Sequence, residues 1–376
     1  MLHIYRELHL LSKTRIFIGL FIALSIIGTG YTYAEGPVSG SAVSVLTELL
    51  KRHSSNLKTN NSPGQAQTYS QIAAFYERNG IWRESVRLYK EALSIQDQLK
   101  DIKHAAGSSI HLAYILKKND DYSAALKHAA SAARLYSKAG IKDSSASAYV
   151  LMADINRALG NYRQAESLIL KRALPLYRGA GNATGRIKCF RSLGHTYREQ
   201  KRFSEAKWFF IQENMQARKL NNSKGIISSL LYLGKVKVAI TDYDLALKDF
   251  KEAERLARNT GNISALADIR SAFASVHSKL GNAETSARFA SLASGNRYQM
   301  LALEKNRRDE ALLLFKESQN LVELSKRSVK PDVIDAVEKT SHIRVWDVYD
   351  SLLITLSFLV FTTAVFFFFA FARTRK

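Results

Sequence analysis

The sequence predicts an all-α solenoid of about six stacked helical hairpins, followed by a long helix and a C-terminal transmembrane helix. Three observations carry that expectation. The stretch Thr68–Ser94, TYSQIAAFYERNGIWRESVRLYKEALS, places Ile72, Ala73 and Tyr76 on one helical face. It then turns at Gly80 and presents Trp82, Ser85, Tyr89 and Ala92 on a second face. The same spacing returns along most of the chain. Finally, four prolines in 376 residues and no alternating apolar pattern fit a helical chain without strands.

The period is close to 40 residues. From Gly80 it leads to Asp120 and Gly160, then by a step of 41 to Lys201, and on to Thr241 and Gly281. Two residues after each turn stands Trp82, Tyr122, Tyr162, Phe203, Tyr243 or Ala283. Five residues after it stands Ser85, Ala125, Ala165, Ala206, Ala246 or Ser286, and seven before it Ala73, Ala113, Ala153, Gly194, Gly234 or Ala274. Small residues at both places let paired helices approach closely. A period of this size marks a helical solenoid, in which each hairpin buries its apolar face only by stacking on its neighbours.

These residues resemble the tetratricopeptide repeat (TPR) family over roughly Gln65 to Gly295. The resemblance implies a right-handed superhelix whose inner wall is lined by the first helix, A, of each hairpin. The repeat exceeds the usual 34 residues, and the family's proline near the end of the second helix, B, is missing. The extra length resembles the long-helix variety of bacterial regulators and cargo adaptors. Loop signals between repeats agree: Gly140–Asp143, Gly181-Asn182, Asn221-Asn222 and Gly261-Asn262.

In chain order, residues 1–34 read as a secretory signal. Arg6, Lys13 and Arg15 lead into the apolar run Ile16–Ile27, and cleavage is expected after Ala34. An uncleaved anchor is the rival reading. Residues 35–64 are expected to form a short cap helix near Ala42–His53 and a polar loop ending at Asn61–Gly64. Residues 65–295 hold the six repeats. Residues 296–345 are charged, with Ala311, Leu314, Phe315, Leu321 and Val322 on one stripe, and are expected to form a connecting helix ended by Pro331, with a short helix at Asp332–Glu338. Residues 346–372 read as the membrane segment: Ser351–Ala372 carries no charge, and Trp346 and Tyr349 suit the near interface. The basic tail 373–376 indicates a cytoplasmic C-terminus. The expected location is a bacterial inner membrane, with the repeats periplasmic.

The formal net charge is +22, and removing Met1–Ala34 with its three basic residues and Glu7 leaves +20. Such an excess favours an acidic partner or an anionic surface; nucleic acid is excluded by the expected export. The single cysteine, Cys189, lies on helix A of the fourth repeat and is expected to be packed. Asn60, Asn182, Asn221 and Asn262 match the glycosylation acceptor pattern, but turns favour asparagine in any case.

No catalytic or metal-binding constellation stands out, and no cofactor is implied. There is no H-E-x-x-H, C-x-x-C, P-loop or G-x-S-x-G, and His111, His128 and His195 read as packed or solvated. The groove positions implied by the family resemblance are Tyr114, Lys117 and Lys118, then Asp154 and Arg157, then Lys188, Arg191, His195 and Arg198, then Lys235. Their cations suit carboxylates or phosphates. The arrangement resembles the carboxylate clamp of chaperone-binding relatives without its asparagines. The expected function is a non-catalytic, membrane-anchored scaffold or sensor that binds a protein or peptide, acidic in character. The alternative is a sensory subunit: Leu301–Leu321 resembles the connecting helix of bacterial TPR receptors. It would act through a separate histidine kinase or diguanylate cyclase.

Overall fold

The computed structural model describes residues 38–326. The expected signal segment, the proline stop at Pro331, the short helix at Asp332–Glu338, the membrane segment and the basic tail lie outside the described residues. Among the described residues no helix is long and apolar enough to cross a membrane.

The described chain is helical throughout. Helix α1 (Val38–Lys58) precedes six A/B hairpins: α2 (Ser62–Arg78) with α3 (Trp82–Gln98), α4 (Ile102–Lys118) with α5 (Tyr122–Lys138), and α6 (Lys142–Ala158) with a B helix in three parts. Those parts are α7 (Tyr162–Leu168), a π-helical segment (Ile169–Ala173) and α8 (Leu174–Gly179). Then come α9 (Ala183–Glu199) with α10 (Phe203–Lys219), α11 (Ser223–Ala239) with α12 (Tyr243–Asn259), and α13 (Ile263–Lys279) with α14 (Ala283–Lys326). Up to Leu312 these elements form one compact unit, and the end of α14 belongs to a second.

Each hairpin is closed by one backbone device. At the first, Ile81 N–H donates to Tyr76 C=O at 2.9 Å and Gly80 N–H to Glu77 C=O at 3.2 Å. This is a Schellman end, which requires its central residue in the left-handed region. Gly80 sits there with φ 79°. One period on, Asp120, Gly160, Lys201, Thr241 and Gly281 repeat the conformation, so three turns use residues with a Cβ. Between repeats the same device recurs, with Asn60 and Asn221 among the left-handed residues. Asn182 and Asn262 instead accept from Gly185 N–H (2.7 Å) and Ala265 N–H (3.0 Å) as N-caps. All four asparagines of the glycosylation pattern thus have a turn or cap role.

Packing follows the small positions. Ala73, Ala113, Ala153, Ala125, Ala165, Ala206 and Ala246 are fully buried. Where serine replaces alanine, its hydroxyl donates across the hairpin: Ser85 to Ala73 C=O at 2.8 Å and Ser286 to Ala274 C=O at 2.9 Å. Helix size is matched across the gap. A Cβ on Gly194 would lie 2.6 Å from the Phe210 ring, and one on Gly234 would lie 2.3 Å from the Phe250 ring.

Three boundaries differ from the sequence reading. The cap helix α1 runs from Val38 to Lys58, well beyond Ala42–His53. Helix α2 starts at Ser62, inside the expected loop, because Asn61 caps Gly64 N–H at 3.1 Å and Pro63 occupies the first turn. No break separates repeat six from the connecting helix; α14 is continuous from Ala283 to Lys326. The 41-residue step also has a structural cause. Pro175 has no N–H to give the carbonyl four residues back, so the α-ladder opens. The π segment just before it absorbs the extra residue and keeps Ala165 and Tyr177 both buried.

Thr241 is a β-branched residue at φ 64°. Left-handed backbone costs a non-glycine residue about 1–2 kcal/mol, partly offset by the unfolded-state entropy of glycine. Thr241→Gly is expected to raise unfolding free energy by about 1 kcal/mol in urea titration; an unchanged or lower midpoint would contradict this turn geometry.

Candidate functional site

From repeat two to repeat six, each A helix packs on the next A helix, α4 on α6, α6 on α9, α9 on α11 and α11 on α13. Successive B helices make no comparable contact. The A helices therefore line the inner side of the curve and the B helices the outer side.

On the inner wall, repeats three to five bring Arg157, Arg191, His195, Arg198 and Lys235 together. Tyr232, from α11, is the hub. His195 stands edge-on to its ring, with centroids 4.2 Å apart. Arg198 lies 5.5 Å and Lys235 Nζ 5.0 Å from its centroid. Cation–π contacts of this kind strengthen as water is excluded. Tyr232 also stacks on Phe210, the ring that Gly194 accommodates. The close hairpin packing thus places the hub.

The cations are not simply solvated. Arg157 bonds Glu199 at 2.5 Å and lies 4.0 Å from Asp154, which accepts from Ser192. Arg198 pairs with Glu199 at 3.6 Å. Arg191 donates from Nε and Nη2 to Glu213 Oε1, each at 2.7 Å. Glu213 is fully buried, and burial pushes its carboxyl up to about 7 against the pull of Arg191. Among the described residues, Lys117, Lys118, Lys188 and Lys235 have no carboxylate at ion-pair distance. The groove positions therefore divide into paired arginines and unpaired lysines.

Glu199 and Glu213 were missed by the sequence reading. Glu213 left a signal. Its equivalents on the other B helices are Ala92, Ala132, Ala173, Ala253 and Ala293, all buried. A single carboxylate in an otherwise alanine column marks a buried charge that needs a partner.

His195 is held neutral. Burial lowers its pKa well below the usual value, and Arg157, Arg198, Arg191 and Lys235 push the same way. Lys235 is lowered by burial, with Asp268 opposing and Arg198 reinforcing.

Nearer the start of the wall, a cavity of about 710 Å³ is lined by residues including Trp82, Tyr114, Lys117 and Lys118. Lys118 Nζ sits 4.1 Å above the Trp82 ring. His111 closes one side; it stacks on Tyr89 and pairs with Glu77 at 2.9 Å. Cys189 is buried, with its thiol pushed up to about 12, and is packing rather than a nucleophile. Among the described residues no three candidate ligands gather to hold a metal.

A family model described as Soluble NSF attachment protein, SNAP, matches residues 48–171, from α1 into the third repeat. No match was found among curated proteins. Three solved structures share the architecture at a TM-score of 0.52 each. The apo form of RapI is 14% identical, covering 63% of this chain and 99% of that one. BtubC (BKLC) from P. vanneervenii is 17% identical, covering 60% and 94%. A Rap protein complexed with Competence and Sporulation Factor is 14% identical, covering 74% and 80%. The fold is a TPR-type helical repeat.

The half-buried His195 generates a pH dependence. Its folded pKa lies below the unfolded value of about 6.5. Its contribution is therefore present above that pH and lost as pH falls, because the unfolded chain takes up the proton. Glu213 acts oppositely: its contribution is present at acid pH and lost as pH rises through about 7. Comparing the wild type with His195→Gln cancels the Glu213 term. The wild type should lose stability relative to the variant by up to about 1.4 kcal/mol per pH unit below about 6.5. Parallel urea midpoints at pH 7.5, 6.5 and 5.5 would contradict a lowered His195 pKa.

Proposed function

We propose that the chain is a non-catalytic, membrane-anchored repeat protein of the cell envelope that takes an acidic protein or peptide segment along its A-helix wall. The observation that carries this reading is the ring of cations from three successive repeats, Arg157, Arg198 and Lys235, around Tyr232 and His195. Arg157 Nε and Arg198 Nε are shielded from solvent without an acceptor. A carboxylate held between Lys235 and Arg198, both beside the Tyr232 ring, would meet two cations at once. The Trp82–Lys118 cavity two repeats earlier offers a second foothold, so an extended segment could bind at both ends. A Rap protein of similar fold is solved in complex with Competence and Sporulation Factor, which supports a binding role for this fold. Membrane attachment rests on the uncharged run Ser351–Ala372 and the basic tail after it. The sensory alternative is favoured by one feature, the continuous 44-residue helix α14 that leaves repeat six. In that reading the bound segment biases α14, and a separate kinase or cyclase reads the change.

The test must leave Arg191 intact. Reversing it would set two carboxylates against each other in the buried Glu213 site and cost stability, about 3–5 kcal/mol for a broken buried pair. Lys118→Gln with Lys235→Gln removes two cations that have no carboxylate partner among the described residues and sets no new carboxylate beside Asp268. The double variant is expected to lose about 1–2 kcal/mol of stability with its two cation–π contacts, to remain folded, and to capture its envelope partner at least tenfold less well. Capture by the wild type should weaken as salt rises. Equal capture by both proteins would place the partner elsewhere.

A further inference from the structure

The outer wall differs from the inner one in both charge and polarity. The B helices of repeats two, four and five point the same three positions outward, five, eight and twelve residues after the first of each. In repeat two these are Lys127, Ala130 and Arg134; in repeat five, Lys248, Lys251 and Arg255. All six are exposed, and none of the five cations forms an ion pair among the described residues. In repeat four the same positions are Trp208, Ile211 and Met215, exposed at 53%, 36% and 50%. A stripe of three large apolar side chains therefore lies between the unpaired cations of repeats two and five.

We propose that this outer wall docks on an anionic lipid bilayer, with Trp208, Ile211 and Met215 entering the headgroup region. Four observations favour a bilayer over a protein. The flanking cations are unpaired and spread over separate repeats, which suits a diffuse field of lipid charge rather than one acceptor. Lysine, three of the five, is depleted at protein–protein interfaces but snorkels readily at membrane surfaces. An outward-curving wall touches a flat surface first at its middle, where the apolar stripe lies. The stripe is one helix wide, the depth profile of an interfacial rather than a spanning element. The proposal uses the wall opposite the partner groove and does not depend on it.

Trp208 reports on the idea directly. Trp82→Phe and Trp346→Phe leave it as the single tryptophan of the full chain. This protein is reconstituted into vesicles of phosphatidylcholine alone, or of equimolar phosphatidylcholine and phosphatidylglycerol, each containing brominated phosphatidylcholine as a quencher. Any membrane span then tethers the chain equally in both. Trp208 emission is expected to shift to the blue and be quenched in the anionic vesicles only. Lys248→Glu with Lys251→Glu, both exposed and unpaired, should return quenching to the neutral-vesicle level without changing the circular dichroism melt. High salt should act in the same direction. Equal quenching in both vesicles, no quenching in either, or quenching that survives the charge reversal would overturn the proposal. The second outcome would leave the stripe for a protein partner.

Discussion

The structure depends on how closely helix A can approach helix B within each hairpin. That distance is set by residues without bulk on either side of the gap. Alanine and serine fill it in the early repeats. In repeats four and five glycine on helix A makes room for a phenylalanine ring on helix B. Close approach sets the angle of each hairpin, and the angle sets how the next one stacks. Schellman ends at both kinds of turn keep the phase, even where lysine, aspartate or threonine must adopt a left-handed backbone. The hub of the inner wall hangs on the same constraint, since Tyr232 rests on the ring that Gly194 admits.

Charge is divided between two walls with different chemistry. The inner wall gathers cations and carboxylates into a partly neutralised network around aromatic rings. Its arginines are held in place, so they are preorganised for a ligand rather than free to reach for one. The outer wall mixes paired cations, such as Arg87 and Arg218, with others, such as Lys127, Lys248 and Lys251, that have no carboxylate partner among the described residues. The net charge of +22 therefore overstates how basic the groove is. A reading of the groove from charge alone would choose Arg191, whose partner is the buried Glu213.

Much of the fold was legible because it repeats. Period, register, small positions and turns all follow from one unit of about 40 residues. The N-cap and proline at Asn61 and Pro63 were also readable and were passed over in favour of a loop. Other features lay beyond a one-dimensional pattern. The extra residue of repeat three was visible as a step of 41, but its absorption as a π segment before Pro175 depends on where the hydrogen-bond ladder fails. The pairings of Arg157 with Glu199 and Arg191 with Glu213 join residues 42 and 22 positions apart, and only stacking shows them as neighbours.

The most direct test of the central constraint is a double-mutant cycle at Gly234 and Phe250, 2.3 Å apart once a Cβ is added. Gly234→Ala should overpack the hairpin and cost about 1–3 kcal/mol. In a Phe250→Leu background the same change should cost much less, a coupling of at least about 1 kcal/mol in urea unfolding. Additive effects of the two substitutions would contradict an architecture set by helix A meeting helix B at this point.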